Sequence, residues 1–240
     1  MTKIYAYFIS ILFMFSYAQL SGQNAEEPAP DTVEISLKIR AGLEVAGPVI
    51  YFTDKNILNV EGHLSTDINE KISIYLGGGY SNYKYSPYNY SFLSSGFFAK
   101  AGVDFNLIKP KKSKGRYWTG IGIHYGLSSY NSEIPYFKHD NYWGSASSSV
   151  GQSRSLGHFI EASPGFRAEI FKYMTIGWSL TLKKLISSGT SQDLKPLYLP
   201  GYGAGAKSVS TGINYYLIFT IPYKKIKVII KPEPVEEPVE

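Results

Sequence analysis

The sequence contains no cysteine among its 240 residues, and this absence excludes two features of exported proteins. No disulfide can form, although we expect the chain to reach an oxidising compartment. No lipoprotein anchor can be attached, because that anchor requires a cysteine. Beyond the N-terminal segment the sequence also lacks any run of 18 apolar residues, so a membrane-spanning helix is not expected.

Histidine is scarce, and the few residues present do not form a catalytic or metal-binding pattern. The four histidines are His63, His124, His139 and His158. His124 and Ser128 share a face of one predicted strand but lie about 13 Å apart along it, too far for a nucleophile and its base. His139-Asp140 gives one pair of metal ligands without a second cluster at a known spacing. We predict no catalytic, cofactor-binding or metal site.

The sequence is rich in a period-two alternation of apolar and polar residues, which recurs about eight times between Val33 and Ile221. In the first segment, alternate residues from Ile35 to Val45 are apolar, while Lys38 and Arg40 fall between them. A half-buried strand of a soluble protein alternates in the same way. Several such segments behind a signal sequence, with charges inside the pattern, indicate a transmembrane β-barrel.

The predicted strands cover about residues 34–46, 57–68, 71–83, 96–107, 116–128, 156–170, 174–185 and 207–221. Long and short connections alternate between them, which is typical of an outer-membrane barrel with external loops and periplasmic turns. The predicted fold class is therefore all-β, an eight-stranded antiparallel up-and-down transmembrane β-barrel with both termini in the periplasm. Pro164 falls within the sixth strand, where we expect a β-bulge.

Three segments flank the predicted barrel. Residues 1–18 form a predicted signal peptide, with Lys3, an apolar core and a small-residue cleavage site, although cleavage could fall as late as Gly22. We expect residues 19–32 to be a flexible periplasmic lead, 33–223 the outer-membrane barrel, and 224–240 a Lys-rich and then Pro/Glu-rich periplasmic tail. Within that tail, Ile226–Ile230 is either a linker or a strand that pairs with a periplasmic partner.

Charged residues at inward positions form the main candidate site. The interior of an eight-stranded barrel is just wide enough for its own side chains. Unpaired charges there would be costly, so we expect a paired network that plugs the lumen, with inward glycines making room for Tyr75 and Trp118. An ion path or an active site is the alternative interpretation. The predicted lumen charges are Lys38, Arg40, Glu44, Glu61, Asp67, Lys100, Asp104, Glu161, Arg167, Glu169 and Lys183.

Aromatic residues gather in the predicted external loops. Most are expected to form the interfacial girdle of the barrel. Others are candidates for docking a partner, because Tyr and Trp are favoured in binding hot spots. The candidate docking aromatics are Tyr88, Tyr90, Tyr136, Phe137, Tyr142 and Trp143.

The formal net charge is +5, and its distribution argues against a nucleic-acid partner. The densest basic cluster, Lys109–Arg116, falls on a short connection between two predicted strands. It is interpreted either as a turn beside anionic headgroups or as a solvated basic turn.

Several stretches resemble a known family. These are Leu182–Ser187, Leu197–Tyr202 and Gly212–Lys225, together with Gly42-Leu43 in the first strand. They are similar to a Bacteroidetes-type family of outer-membrane β-barrels classed as a domain of unknown function, number 6048. The resemblance covers about residues 33–225 and implies the barrel and its compartment. It implies no catalytic residue and leaves the activity open.

The combined prediction is a non-enzymatic integral outer-membrane barrel with a plugged lumen. Its expected partners are outer-membrane lipid and other outer-membrane or periplasmic proteins, as a structural or accessory subunit of an assembly or secretion machinery. No cofactor is expected. A narrow pore or ligand-uptake barrel is the alternative, and a lipid-modifying barrel enzyme is less favoured. A soluble lipocalin-like barrel would need apolar residues inside and charges outside.

Overall fold

The computed structural model describes residues 31–108, 117–142, 144–190 and 196–230. Within these ranges the elements are, in chain order, β1 (Asp31–Glu44), α1 (Ala46–Thr53), β2 (Ile57–Asp67), β3 (Ile72–Tyr85), β4 (Tyr90–Asn106), β5 (Tyr117–Asn141), β6 (Gly144–Phe171), β7 (Met174–Ser187), β8 (Tyr198–Leu199), β9 (Gly203–Ala204) and β10 (Val209–Ile230). The predicted signal peptide, the lead up to residue 30, the basic cluster 109–116, Trp143 and the tail from residue 231 lie outside the described residues.

Eight of the strands close into a barrel in the order β1-β10-β7-β6-β5-β4-β3-β2. Each strand pairs antiparallel with the next barrel strand along the chain. This confirms the predicted eight-stranded up-and-down architecture. Closure leaves no sheet edge around the wall, which is the condition for crossing a membrane with strands.

The alternation in the sequence places apolar side chains on the outer wall and charges in the lumen. Leu43, Leu64 and Leu76 are 62, 58 and 56% exposed at the outside. Glu61, Lys100 and Glu161, which lie on the opposite face of their strands, are buried. The arrangement is the reverse of a soluble lipocalin-like barrel and is that of a transmembrane barrel. Among the described residues, no helix is both long and apolar enough to span a membrane.

The two ends of the barrel differ. At one end, which we call the short-turn end, residues 68–71 and 172–173 link consecutive strands. At the other, the hairpin end, β5 and β6 continue past the barrel as a paired hairpin that closes at Asn141↔Gly144. The sequence predicted a loop over 129–155 because this hairpin has no apolar alternation. Both of its faces meet water, so nothing in its pattern separates a strand from a loop.

A short helix replaces one of the predicted loops at the hairpin end. Helix α1 lies where a loop over 47–56 was expected, and Pro48 sits in its first turn, where a proline costs no hydrogen bond. The carboxylate of Glu44 accepts hydrogen bonds from the amides of Ala46 and Gly47, at 2.7 and 2.9 Å. Glu44 therefore caps the start of α1 instead of joining a lumen ion pair.

Further corrections concern particular residues. Leu37, predicted to face lipid, is only 4% exposed and lines the lumen at the short-turn end. No bulge occurs at Pro164: this residue pairs with Ile121, and the β5–β6 register is unbroken around it. Strand β10 runs to Ile230, so the Lys-rich segment from residue 224 begins as strand and not as tail. As for Pro164, a paired strand accommodates a proline when its missing amide lies where no ladder bond is formed.

Candidate functional site

The middle of the lumen is filled by a buried ion cluster. Lys100 on β4 is 2% exposed, and its Nζ lies 2.5 Å from Oε1 of Glu61 on β2 and 3.3 Å from Oε2 of Glu161 on β6. The strands that carry these residues lie on different sides of the barrel, so the cluster crosses the lumen. Charges removed from water need close partners, and this geometry supplies them.

A second layer of charge continues from Glu161. His124 bridges two carboxylates, with Nδ1 at 3.2 Å from Glu161 and Nε2 at 3.0 Å from Asp104. The guanidinium of Arg167 donates to the other oxygen of Asp104 at 2.6 Å and lies 4.0 Å from the ring of Trp118. Both ring nitrogens of His124 are thus directed at carboxylates. The histidine is a structural bridge and has no free nitrogen to activate a serine.

The short-turn end holds a third layer. Both terminal guanidinium nitrogens of Arg40 donate to Asp67, at 2.6 and 2.8 Å. Lys38 donates to Glu169 at 2.7 Å, and the Ser73 hydroxyl donates to Asp67 at the same distance. These side chains surround a polar vestibule of about 170 Å³.

Aromatic rings fill the remaining lumen. Tyr75 stacks between His63 and His124, with ring centroids 5.2 and 4.0 Å away. Inward glycines leave room for the large rings, as the sequence predicted. A Cβ on Gly77 would lie 2.8 Å from the Tyr75 hydroxyl, and a Cβ on Gly120 would lie 2.3 Å from the Trp118 ring.

At the hairpin end, the segment Leu197–Tyr202, which we call the plug, turns into the barrel mouth. It contains β8 and the turn toward β9, and Leu199 and Tyr202 are fully buried against Tyr130 and Phe159. The amine of Lys183 donates a 2.7 Å hydrogen bond to the carbonyl of Gly201. The sequence predicted an external Gly/Pro/Tyr loop here, because a loop that points inward has the same turn residues as one that points outward.

The eleven predicted lumen charges take two roles. Ten of them make ion pairs between different strands. Nine of these residues belong to the three layers described above, and the tenth is Lys183, whose Nζ lies 3.7 Å from Glu161. Glu44 instead caps α1. What the sequence could not supply was the pairing, because partners such as Arg167 and Asp104 are 63 positions apart.

The five candidate docking aromatics that the structure describes do not all lie together. Tyr88 and Tyr142 are 92 and 93% exposed at the tips of separate connections. Tyr90 and Phe137 lie opposite each other in the β4–β5 pair and are half-buried, and Tyr136 is exposed beside them. The sequence missed a stack at the rim, where the rings of Tyr83 and Tyr198 lie 4.6 Å apart.

The described residues contain no group of three or more His, Asp or Glu side chains placed to hold a metal ion. His139 and Asp140 lie in the projecting hairpin, paired with Ala146 and Ser145. On the outer wall, the Tyr125 hydroxyl and Nδ1 of His158 lie 2.8 Å apart. No serine hydroxyl in the described lumen is bonded to a histidine.

The family model of a domain of unknown function, DUF6048, matches residues 4–226. The chain belongs to this family. The match covers the barrel strands as far as residue 226 of β10, together with the plug. The source organism implied by the sequence resemblance stays a prediction. No curated protein matches the chain significantly.

Solved barrels share little sequence with this chain. Neisserial surface protein A is 9% identical, with a TM-score of 0.42 over 80% of this chain and 99% of that one. The attachment invasion locus protein Ail of Yersinia pestis is 9% identical, with a TM-score of 0.36 over 78% and 98%. CarO of Acinetobacter baumannii is 12% identical, with a TM-score of 0.36 over 79% and 98%. The fold assignment rests on the closed strand pairing of the chain itself.

Proposed function

We propose that the protein is a non-enzymatic outer-membrane barrel with a closed lumen, which acts through its surfaces as a structural or accessory subunit of an outer-membrane complex. The observation that carries the proposal is the buried amine of Lys100, held between Glu61 and Glu161 across the middle of the lumen. A solute that passed through would have to separate this cluster in a low-dielectric interior, which is strongly unfavourable.

Two further barriers support the closed lumen. The plug fills the hairpin end with apolar side chains around Leu199. At the short-turn end, the Arg40–Asp67 and Lys38–Glu169 pairs narrow the vestibule. With the interior occupied at three levels, the surfaces remain as the place where the protein acts.

The proposed orientation follows from the unequal ends. In outer-membrane barrels the long connections are external and the short turns periplasmic. The hairpin end would then face outward, and the short-turn end with both termini would face the periplasm. The signal peptide of residues 1–18, the lead and the Pro/Glu-rich tail belong to the same proposal. Assembly or secretion machineries are candidate hosts.

The subunit role is tested by co-purification. A C-terminal tag, mild detergent extraction and crosslinking should recover a stoichiometric outer-membrane or periplasmic protein. A tagged, unrelated eight-stranded barrel extracted in the same way serves as the control. Recovery of a clean monomer at native expression levels, with and without crosslinker, would contradict the subunit role.

A narrow pore or uptake barrel is the second candidate, because the vestibule of about 170 Å³ is polar and opens at one end. Conductance in planar bilayers separates it from the closed barrel. A lipid-modifying enzyme is less favoured, since His124 is engaged by Asp104 and Glu161. Altered acylation of lipid A in a deletion strain would revive that candidate.

A further inference from the structure

A small buried cavity lies in the lumen between the second layer of charge and the vestibule. His63 on β2, Arg167 on β6 and Ser179 on β7 contribute to its lining. Its volume is about 20 Å³. A single water molecule needs roughly 10–15 Å³. The cavity therefore has room for a water molecule or a monatomic ion and excludes larger ligands such as phosphate.

Polar atoms of the lining residues lack a hydrogen-bond partner among the described residues. These atoms are Nη1 of Arg167, Oγ of Ser179 and both ring nitrogens of His63. His63 and Ser179 are each only 6% exposed, so water outside the barrel does not reach them freely. A buried polar group without a partner is unfavourable. Three such side chains around one cavity therefore indicate a ligand that they share.

Two glycines allow these side chains to take their positions. A Cβ on Gly42, which lies opposite His63 in the β1–β2 pair, would overlap the His63 ring. A Cβ on Gly177, opposite Arg167 in the β6–β7 pair, would lie 3.1 Å from Cγ of Arg167. The imidazole ring and the arginine stem thus lie over neighbouring strands. Their packing fixes where the unpartnered nitrogens are held.

The hydrogen-bonding groups around the cavity favour an anion. Nη1 of Arg167 and the hydroxyl of Ser179 can donate, and a neutral His63 can donate from one ring nitrogen. Asp104 also lines the cavity, but its two oxygens already lie 3.0 Å from His124 and 2.6 Å from Arg167. The lining therefore presents mainly donors, one of which carries a positive charge.

The connected charges beside the cavity have an excess of one positive charge. Both ring nitrogens of His124 face carboxylate oxygens, at 3.2 and 3.0 Å. An ionised carboxylate only accepts hydrogen bonds, so these two contacts hold one proton more than a neutral histidine carries. That proton adds the same charge on either partner. The cationic groups are then Lys100, Lys183, Arg167 and His124, and the carboxylates are Glu61, Glu161 and Asp104. Glu44 is directed instead to the amides at the start of α1.

We propose that Arg167, Ser179 and His63 bind one halide ion in this cavity, with chloride as the natural ligand. The ion accepts from the unpartnered donors and offsets the excess charge locally. Arg167 and Trp118 line both the cavity and the vestibule, so the ion enters from the short-turn end. The site needs no path through the barrel, and the inference goes beyond the proposed function.

Crystals of the full-length protein grown with bromide in place of chloride test the site directly, because bromide gives an anomalous signal. We expect an anomalous peak in the cavity, within hydrogen-bonding distance of Nη1 of Arg167 and Oγ of Ser179. A water molecule at this position, without anomalous signal, would overturn the proposal. Bromide found on the protein surface alone, as an adventitious ion only, would overturn it as well.

A second readout is the chloride dependence of stability. Urea titration in detergent micelles, with chloride replacing gluconate at constant ionic strength, should show wild-type stability rising as for one bound ligand. Ser179→Ala should weaken the apparent chloride affinity by about tenfold or more, because it removes a hydrogen bond to a charged ligand. Ser128→Ala is the matched control, since Ser128 is also buried without a partner but does not line the cavity.

Unchanged gel mobility of the folded barrel shows that each variant folds. A wild type whose stability does not respond to chloride would contradict the proposal. So would a Ser179→Ala variant with the same chloride dependence as the wild type and Ser128→Ala. None of these results affects the closed lumen, which depends on the plug and the Lys100 cluster and not on an ion in the cavity.

Discussion

Lys183 and Gly201 connect the wall of the barrel to the plug: the amine of Lys183 on β7 donates a 2.7 Å hydrogen bond to the carbonyl of Gly201. The same amine lies 3.7 Å from Glu161, which belongs to the mid-lumen ion cluster. A single side chain therefore joins the outer barrier to the central one. The plug is held by this contact and by the packing of Leu199 and Tyr202.

Replacing Lys183 with methionine should loosen the plug while the barrel remains folded. The substitution keeps most of the side-chain stem and removes the charged donor, whose hydrogen bond contributes roughly 1.5–3 kcal/mol. We expect the backbone amides of Leu199–Tyr202 to exchange with solvent about tenfold faster or more. Hydrogen exchange followed by mass spectrometry measures this. Lys183→Arg, which keeps a donor, should exchange more slowly than Lys183→Met, and equal rates would argue against the contact.

Gly201→Ala should disrupt the turn of the plug. Gly201 has φ +75°, and a Cβ on it would lie 2.5 Å from the Phe98 ring. The left-handed backbone alone costs a non-glycine residue about 1–2 kcal/mol. We expect faster proteolysis of the plug by an added protease. Gly151→Ala is the control, because no atom lies within 4 Å of its Cβ position, and comparable cleavage of the two variants would contradict the packing.

Lys100→Met should destabilise the barrel strongly. It leaves Glu61 and Glu161 without their shared cation, and breaking a buried pair typically costs about 3–5 kcal/mol. Urea titration of refolding into detergent micelles measures the loss. The triple variant Lys100→Met/Glu61→Gln/Glu161→Gln should recover much of it, since no unpaired carboxylate remains. A single variant as stable as the wild type would show that Lys100 is not held as a buried ion.

A charge on the outer wall should oppose membrane insertion. Leu64 is exposed and lies between Ala41 and Leu76 in the apolar surface. Leu64→Arg should lower the stability of the barrel in lipid vesicles by about 2–4 kcal/mol if Leu64 lies at the bilayer midplane. Ser149→Arg, in the projecting hairpin, should have little effect. Equal effects of the two substitutions would contradict the assignment of the wall to lipid.

The sequence predicted the orientation of most side chains but not their partners. Alternation along a strand assigns Lys100 and Glu161 to the lumen, because a period of two fixes the face. It carries no information on register between distant strands, so the Lys100–Glu161 pair could not be derived. Leu37 shows where alternation fails: the strand departs from the simple pattern near the short-turn end, and the side chain enters the lumen.

The hairpin end was less predictable for a different reason. The Ser-rich part of β6 has no buried face, so its sequence lacks the apolar alternation that would indicate a strand. The plug residues Leu199 and Tyr202 occur beside proline and glycine, which mark a turn without indicating whether it points into or out of the barrel. Glu44 was assigned to the lumen by its face, yet its two oxygens are used by the amides that begin α1.

The closed lumen is tested most directly by single-channel recording of the wild-type protein in planar bilayers, from low to high voltage. Protease protection of the reconstituted protein verifies its insertion, and a conducting porin added afterwards shows that the same bilayers can report conductance. We predict flat traces for the wild type, because the plug, the Lys100 cluster and the Arg40–Asp67 layer each close the interior. Reproducible stepwise conductance of the wild-type barrel would contradict the account.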